Sequence, residues 1–324
     1  MWFARRNIGV GAVLAVLLVQ GAAQGVVIRS DASDQQYVAL GASFPSVGRF
    51  DGSTSSSNFL ASGTLISPSW VLTAAHVVDH AASLNFTVGG TTYSADRMVA
   101  DPNWNGNLWS GYDIGLVHLS SPVTNVTPAT MYTGRGELNK AVTTVGFGKT
   151  GTGTTGAVLL DGQKRGGQNL VDRIVNDRLL LSDFEDPSSS SAGMLGNSRT
   201  LALEGLIAPG DSGGGEFLQM GEASYLVGVN SFVGSAAGLP NSAYGNIEGQ
   251  TRVAAFADWI MGILDSDLSP MSHAVDPVAS DDVRPVDFQP AVVPEPGTLV
   301  LLAAGLLLLA ARRVARPHFS VQGA

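Results

Sequence analysis

The stretch Ala208-Pro209-Gly210-Asp211-Ser212-Gly213-Gly214-Gly215 constrains this chain more than any other. So many glycines leave little side chain to pack. What they supply is backbone freedom, because glycine adopts positive φ and lets a ligand come close to the main chain. A turn of this composition aims two N–H groups at one point beside Ser212 Oγ, the geometry that holds an oxyanion when a hydroxyl attacks a carbonyl. A serine hydroxyl is a weak nucleophile until a base takes its proton and a third group orients that base. The rest of the chain must therefore supply a histidine and a carboxylate.

The first candidate is His76. Leu65-Ile66 and Trp70-Val71-Leu72 flank the turn Ser67-Pro68-Ser69 and read as two short strands. The small residues Thr73-Ala74-Ala75 then lead into His76 with little bulk around its imidazole. The second candidate is Asp113, which opens the apolar, strand-like run Ile114-Gly115-Leu116-Val117-His118-Leu119. A carboxylate entering such a run would be partly buried and must then be hydrogen-bonded or paired, and a histidine Nδ1–H would satisfy it. Plainer readings exist for each: Asp113 as a turn cap, and His76 with His80 as a His-x-x-x-His metal pair. The zinc reading fails for want of a glutamate after His76, where Val77 stands. No metal is expected. His118 reads as structural, and His273 and His318 fall outside the domain. The glycine-rich segment 146–153 lacks the spacing of a phosphate-binding loop.

In the order His76, Asp113, Ser212, these three segments resemble the trypsin-like (chymotrypsin-fold) serine proteases over roughly residues 28–263. The resemblance implies an all-β chain of two six-stranded antiparallel β-barrels and a short C-terminal helix. The first barrel would run to about residue 125 and the second would carry Ser212, with the site in the cleft between them. Apolar positions at Val253, Phe256, Trp259, Ile260 and Ile263 have helical spacing and place the closing helix over 251–264. Leu226 to Phe232 would be the strand lining the cleft.

The resemblance also assigns roles. His76 would be the general base, Asp113 its orienter and Ser212 the nucleophile, with the N–H groups of Gly210 and Ser212 as oxyanion hole. A new amino terminus would pair with Asp211, and Val26 is the first candidate, with Val27 and Ile28 behind it. The primary pocket would be floored by Leu206 and walled by Ser231, Phe232 and Val233, which argues against basic side chains at the cleaved position. A two-residue shift would put Glu204 at the floor instead. The activity implied is a serine endopeptidase acting on protein or peptide substrates, without cofactors.

Both ends of the chain point to export. Arg5 and Arg6, an apolar run from Ile8 to Val19 and the small residues 21–25 make residues 1–25 a signal peptide for signal peptidase. The protease domain would then span 26–264, and an acidic, Pro-rich linker 265–292. Residues 293–324 carry Pro294-Glu295-Pro296, an apolar run over 298–311 and then Arg312, Arg313 and Arg316. This resembles the PEP-CTERM sorting signal of Gram-negative bacteria, which implies an exosortase-type partner. It also implies a transmembrane helix held transiently in the inner membrane, and a periplasmic, cell-surface or extracellular product. Removing the five end arginines and Glu295 from 18 Lys+Arg and 27 Asp+Glu leaves 13 and 26, a formal charge of −13. Such acidity argues against nucleic-acid binding. The chain has no cysteine, so its stability rests on its core.

Two other readings compete. A surface binding protein could keep the fold without turnover, although an intact triad disfavours it. A serine esterase could use the same chemistry, although its usual chain order places the histidine last.

Overall fold

Apolar alternation and paired glycines build the N-terminal half. The computed structural model describes residues 23–189, 193–196, 198–235, 238–268 and 320–323. Most of the signal segment, the expected linker beyond residue 268, the Pro-Glu-Pro motif and the apolar run lie outside the described residues, while residues 265–268, expected in the linker, belong to the closing helix. Six strands, β1 (Val47–Ser53), β2 (Asn58–Ser67), β3 (Trp70–Thr73), β4 (Ser83–Val88), β5 (Thr91–Ala100) and β6 (Gly115–Leu119), close into a barrel. Their order round the barrel is β1-β2-β3-β6-β5-β4. Gly89 and Gly90, at φ 57° and 79°, form the two-residue turn between β4 and β5, a twist that suits a hairpin. Inside, the ring of Phe50 lies where a side chain at Gly63 would stand, 2.5 Å away. That glycine is what lets the aromatic core reach across β2.

The second half is a curled antiparallel sheet. Its strands are β7 (Ala141–Gly146), β8 (Arg165–Leu170), β9 (Arg173–Val175), β10 (Leu179–Asp183), β11 (Gly215–Met220), β12 (Ala223–Ser235) and β13 (Ile247–Arg252). The ladder runs β8-β7-β11-β12-β13-β10-β9. Asn169 Nδ2 on β8 donates to the Asp183 carbonyl on β10 at 2.9 Å, drawing the ends of the sheet together. The two halves share one core: Val145, Phe217, Leu226 and Val229 pack with Leu65, Leu72 and Leu116 of the barrel. Ser212 precedes β11, while His76 and Asp113 sit on the connections flanking β3 and β6. The site therefore falls at the seam.

The closing helix starts later than its apolar spacing indicates. Residues 251–252 belong to β13, a 3₁₀ turn covers Val253–Ala255, and the α-helix spans Ala257–Leu268. The ladder claims Thr251, which pairs with Leu179 on one side and Val229 on the other. Val253, Phe256 and Ile260 still face the shared core, as the periodicity requires. Among the described residues, no helix is long and apolar enough to cross a membrane.

Candidate active site

Ser212 sits in a turn that only its glycines permit. Asp211 N–H donates to the Ala208 carbonyl and Gly214 N–H to the Asp211 carbonyl, both at 2.9 Å, so the chain reverses on itself. Gly210 and Gly213 stand at φ 102° and 80°. A side chain at Gly213 would place its first carbon 1.9 Å from Thr73 Oγ1 and 2.4 Å from the Ser62 carbonyl. No other residue fits there. Ser62 N–H donates to the Ser212 carbonyl at 2.8 Å, and Ser62 Oγ donates to the Gly210 carbonyl at 3.0 Å, so β2 pins both sides of the turn. The N–H groups of Gly210 and Ser212 meet no acceptor among the described residues.

Asp211 anchors the turn from behind. Its Oδ1 accepts from Gly148 N–H at 2.7 Å, and its Oδ2 accepts from Ala208 N–H at 2.8 Å and Val26 N–H at 3.0 Å. Complete burial pushes its pKa up to about 6 against the pull of those three donors. The structure thus brings Val26 to Asp211 while the bond to Gly25 is intact. Val26 stands at φ 61° there, a region that a β-branched residue occupies only under strain.

His76 lies on the single turn of helix Ala75–Val78. Its backbone N–H donates to Asp113 Oδ1 at 2.9 Å, its Nδ1 lies 2.8 Å from Asp113 Oδ2, and its Nε2 lies 2.7 Å from Ser212 Oγ. Burial pulls the imidazole pKa down, but the Asp113 charge and its hydrogen bond outweigh that and leave it above the ordinary value. Asp113 is fully buried. Besides His76 it accepts from Ser231 Oγ at 2.5 Å, and its backbone carbonyl accepts from Thr251 Oγ1 at 2.8 Å. No local signal connects Ser231 or Thr251 to Asp113, because the bonds span more than a hundred residues. His80 lies apart, exposed beside Asp79.

The four expected pocket residues part company. Leu206 and Val233 are buried in one cluster with Val27, Phe184, Ile207 and Ala208. Ser231 turns to Asp113, and Phe232 turns to the other face of β12, its ring 4.6 Å from that of Trp109. Glu204 is held elsewhere: its carboxylate accepts from Glu185 N–H at 2.9 Å and Leu201 N–H at 2.6 Å. The sequence reading missed Glu248. It pairs in register with Val233, and its Oε2 accepts from Ile207 N–H at 2.8 Å. Burial pushes the Glu248 pKa up to about 8.

The trypsin family model matches residues 36–260. The chain belongs to the trypsin family. A second match, to the PEP-CTERM protein-sorting motif, covers residues 292–314 of this trypsin-family chain. Chymotrypsin-like elastase family member 1 of Felis catus is 31% identical over 63% of this chain and 78% of its own length. The Canis lupus familiaris protein of the same description is 41% identical over 19% of this chain, and the match spans 28% of that relative. Brachyurin of Leptuca pugilator is 28% identical over 62% of this chain and 86% of its own. In fold, the trypsin-family domain is similar to the solved structure of HL collagenase, with a TM-score of 0.51, 21% identity, and coverage of 68% and 94% of the two chains.

Proposed function

We propose that this trypsin-family chain is an exported serine endopeptidase working through Ser212, His76 and Asp113. The observation that carries the reading is the continuous relay from Asp113 Oδ2 through His76 to Ser212 Oγ, at 2.8 and 2.7 Å. Neutral His76 takes the Ser212 proton at Nε2 as Oγ attacks the substrate carbonyl. The imidazolium that forms is stabilised by buried Asp113. The oxyanion is held by the N–H groups of Gly210 and Ser212, each worth about 3 kcal/mol to the transition state. His76 then returns the proton to the leaving amine, and water repeats the sequence on the acyl-enzyme.

The cleaved position takes a small or medium apolar side chain: Leu206, not an acid, stands at the expected floor, and Val233 stands where a glycine commonly keeps the pocket open. Signal peptidase cuts after Gly25, leaving Val26 as an ammonium beside Asp211. The tail from 293 is handled by an exosortase-type enzyme at the inner membrane, and the product reaches the periplasm or the cell surface. The test compares purified protein with Ser212→Ala on peptide anilides ending in Ala, Val, Lys or Arg. Hydrolysis of the Ala and Val substrates, lost in the variant, is expected. Hydrolysis confined to the Arg and Lys substrates would overturn the pocket assignment.

A further inference from the structure

One peptide already lies beside the relay, and it belongs to this chain. Strand β11 covers β12 only as far as Val229, opposite Gly215. Past that point the edge of β12 is taken by Ser320–Gly323. The pairing is antiparallel, with Ser320 opposite Ser235, Val321 opposite Gly234, Gln322 opposite Val233 and Gly323 opposite Phe232. The segment therefore runs toward Ser212 and ends against the relay. A first side-chain carbon on Gly323 would lie 3.1 Å from His76 Nε2. Glycine there lets the strand lie against the imidazole without a tight contact. Gly323 joins His76, Ser212, Phe59, Leu60 and Ala61 in lining a cleft of about 260 Å³.

We propose that residues 320–323 are a substrate-like occupant of this chain's own cleft, covering it for as long as the tail is free to reach it. The inference rests on the protease reading for its consequence, though not for the docking itself. Recognition by strand addition uses main-chain hydrogen bonds and so asks little of the peptide's side chains. Four residues bind weakly on their own, but a tethered segment acts at an effective concentration on the order of mM.

Withdrawal is built into the same tail. If the apolar run 298–311 enters a membrane, Arg312, Arg313 and Arg316 stay on the cytoplasmic side. Residues 320–323 are then across the membrane from an exported domain. A tail in the membrane and a tail in the cleft exclude each other. Excision at the sorting motif at 292–314 removes the occupant altogether. Sorting and unmasking of the cleft are thus one event.

The test uses the chain from a free amino terminus at Val26 through residue 324, and two readouts. The chain has no cysteine, so Ser235→Cys with Ser320→Cys reports docking alone, since facing strand positions lie within disulfide reach. Mild oxidation is expected to close this pair within one molecule, and Val321→Pro with Gln322→Pro, which between them remove any ladder donor at the two central positions, to reduce closure. The second readout is the rate of fluorophosphonate labelling of Ser212. The chain through residue 324 is expected to label about threefold or more slowly than a chain ending at 319, as follows when a mM effective concentration meets a weak site. Failure of the cysteines to pair overturns the docking, and equal labelling rates overturn the masking. If the pair closes but neither form labels, the docking stands and the protease reading falls.

Discussion

Replacing Asp113 by asparagine separates orientation from packing at this site. The side chain keeps its shape, but one oxygen becomes an NH₂ group, and each of the two placements has a consequence. With nitrogen at the Oδ1 position, it faces the His76 backbone N–H at 2.9 Å, donor against donor. With nitrogen at the Oδ2 position, it faces His76 Nδ1 at 2.8 Å and Ser231 Oγ at 2.5 Å. The second placement wins, because a hydroxyl can rotate to accept and an imidazole can change tautomer, whereas a backbone N–H can do neither. His76 then carries its proton on Nε2, pointing at Ser212, and cannot act as base. The expected loss in kcat is roughly 10⁴-fold, or about 5.5 kcal/mol of transition-state stabilisation. Stability should change by no more than about 1 kcal/mol, since every polar atom keeps a partner. Steady-state hydrolysis of an Ala-type anilide, with urea unfolding as the control, measures both. A loss below tenfold in a folded variant would refute the argument, because the base would then be working without its orienter.

Three further outcomes follow from the charges. Activity requires neutral His76, whose pKa lies above the ordinary 6.5, so the acid limb of kcat/KM should fall above that value; a limb below it would contradict the pairing with Asp113. Glu216 is fully buried, neither of its carboxyl oxygens has a partner among the described residues, and burial, with Glu248 and Glu137 nearby, holds its pKa well above the usual range. The folded chain keeps that proton while the unfolded chain releases it, so stability falls as pH rises past about 4.5. Glu216→Gln should raise Tm at pH 8 and leave it nearly unchanged at pH 4, and equal shifts at both would sink the idea. Cleavage after Gly25 frees Val26 from its φ of 61°, a strain of about 1–3 kcal/mol, and sets an ammonium beside Asp211. A chain beginning at Val26 should therefore resist urea better than one beginning at Ala23, most clearly above pH 6, where Asp211 is ionised. Equal resistance would remove the role given to the new amino terminus.

What the sequence disclosed was local chemistry. The glycines around Ser212, the small residues before His76 and the apolar run after Asp113 each carried their own signal, and the fold brings those three side chains together. Of the three candidates Val26, Val27 and Ile28, Val26 is the one whose backbone N–H donates to Asp211. The unread parts depend on long-range register. The Ser231 bond to Asp113 was not legible, because nothing near Ser231 in sequence shows that its hydroxyl would find that carboxylate. Glu248 lay hidden inside Ile247–Arg252, where its neighbours gave no sign that it would stand opposite Val233. The helix start slipped because Thr251 has one environment in the apolar pattern and another in the sheet ladder. Nothing in Ser320-Val321-Gln322-Gly323 announced a strand.

The central claim is that Ser212 is an activated nucleophile, and reaction with a fluorophosphonate probe tests it most directly. A chain ending before residue 320, with its amino terminus at Val26, should label stoichiometrically, and Ser212→Ala should not label at all. Labelling that persists in Ser212→Ala, or none in a folded protein with the correct amino terminus, would contradict the account.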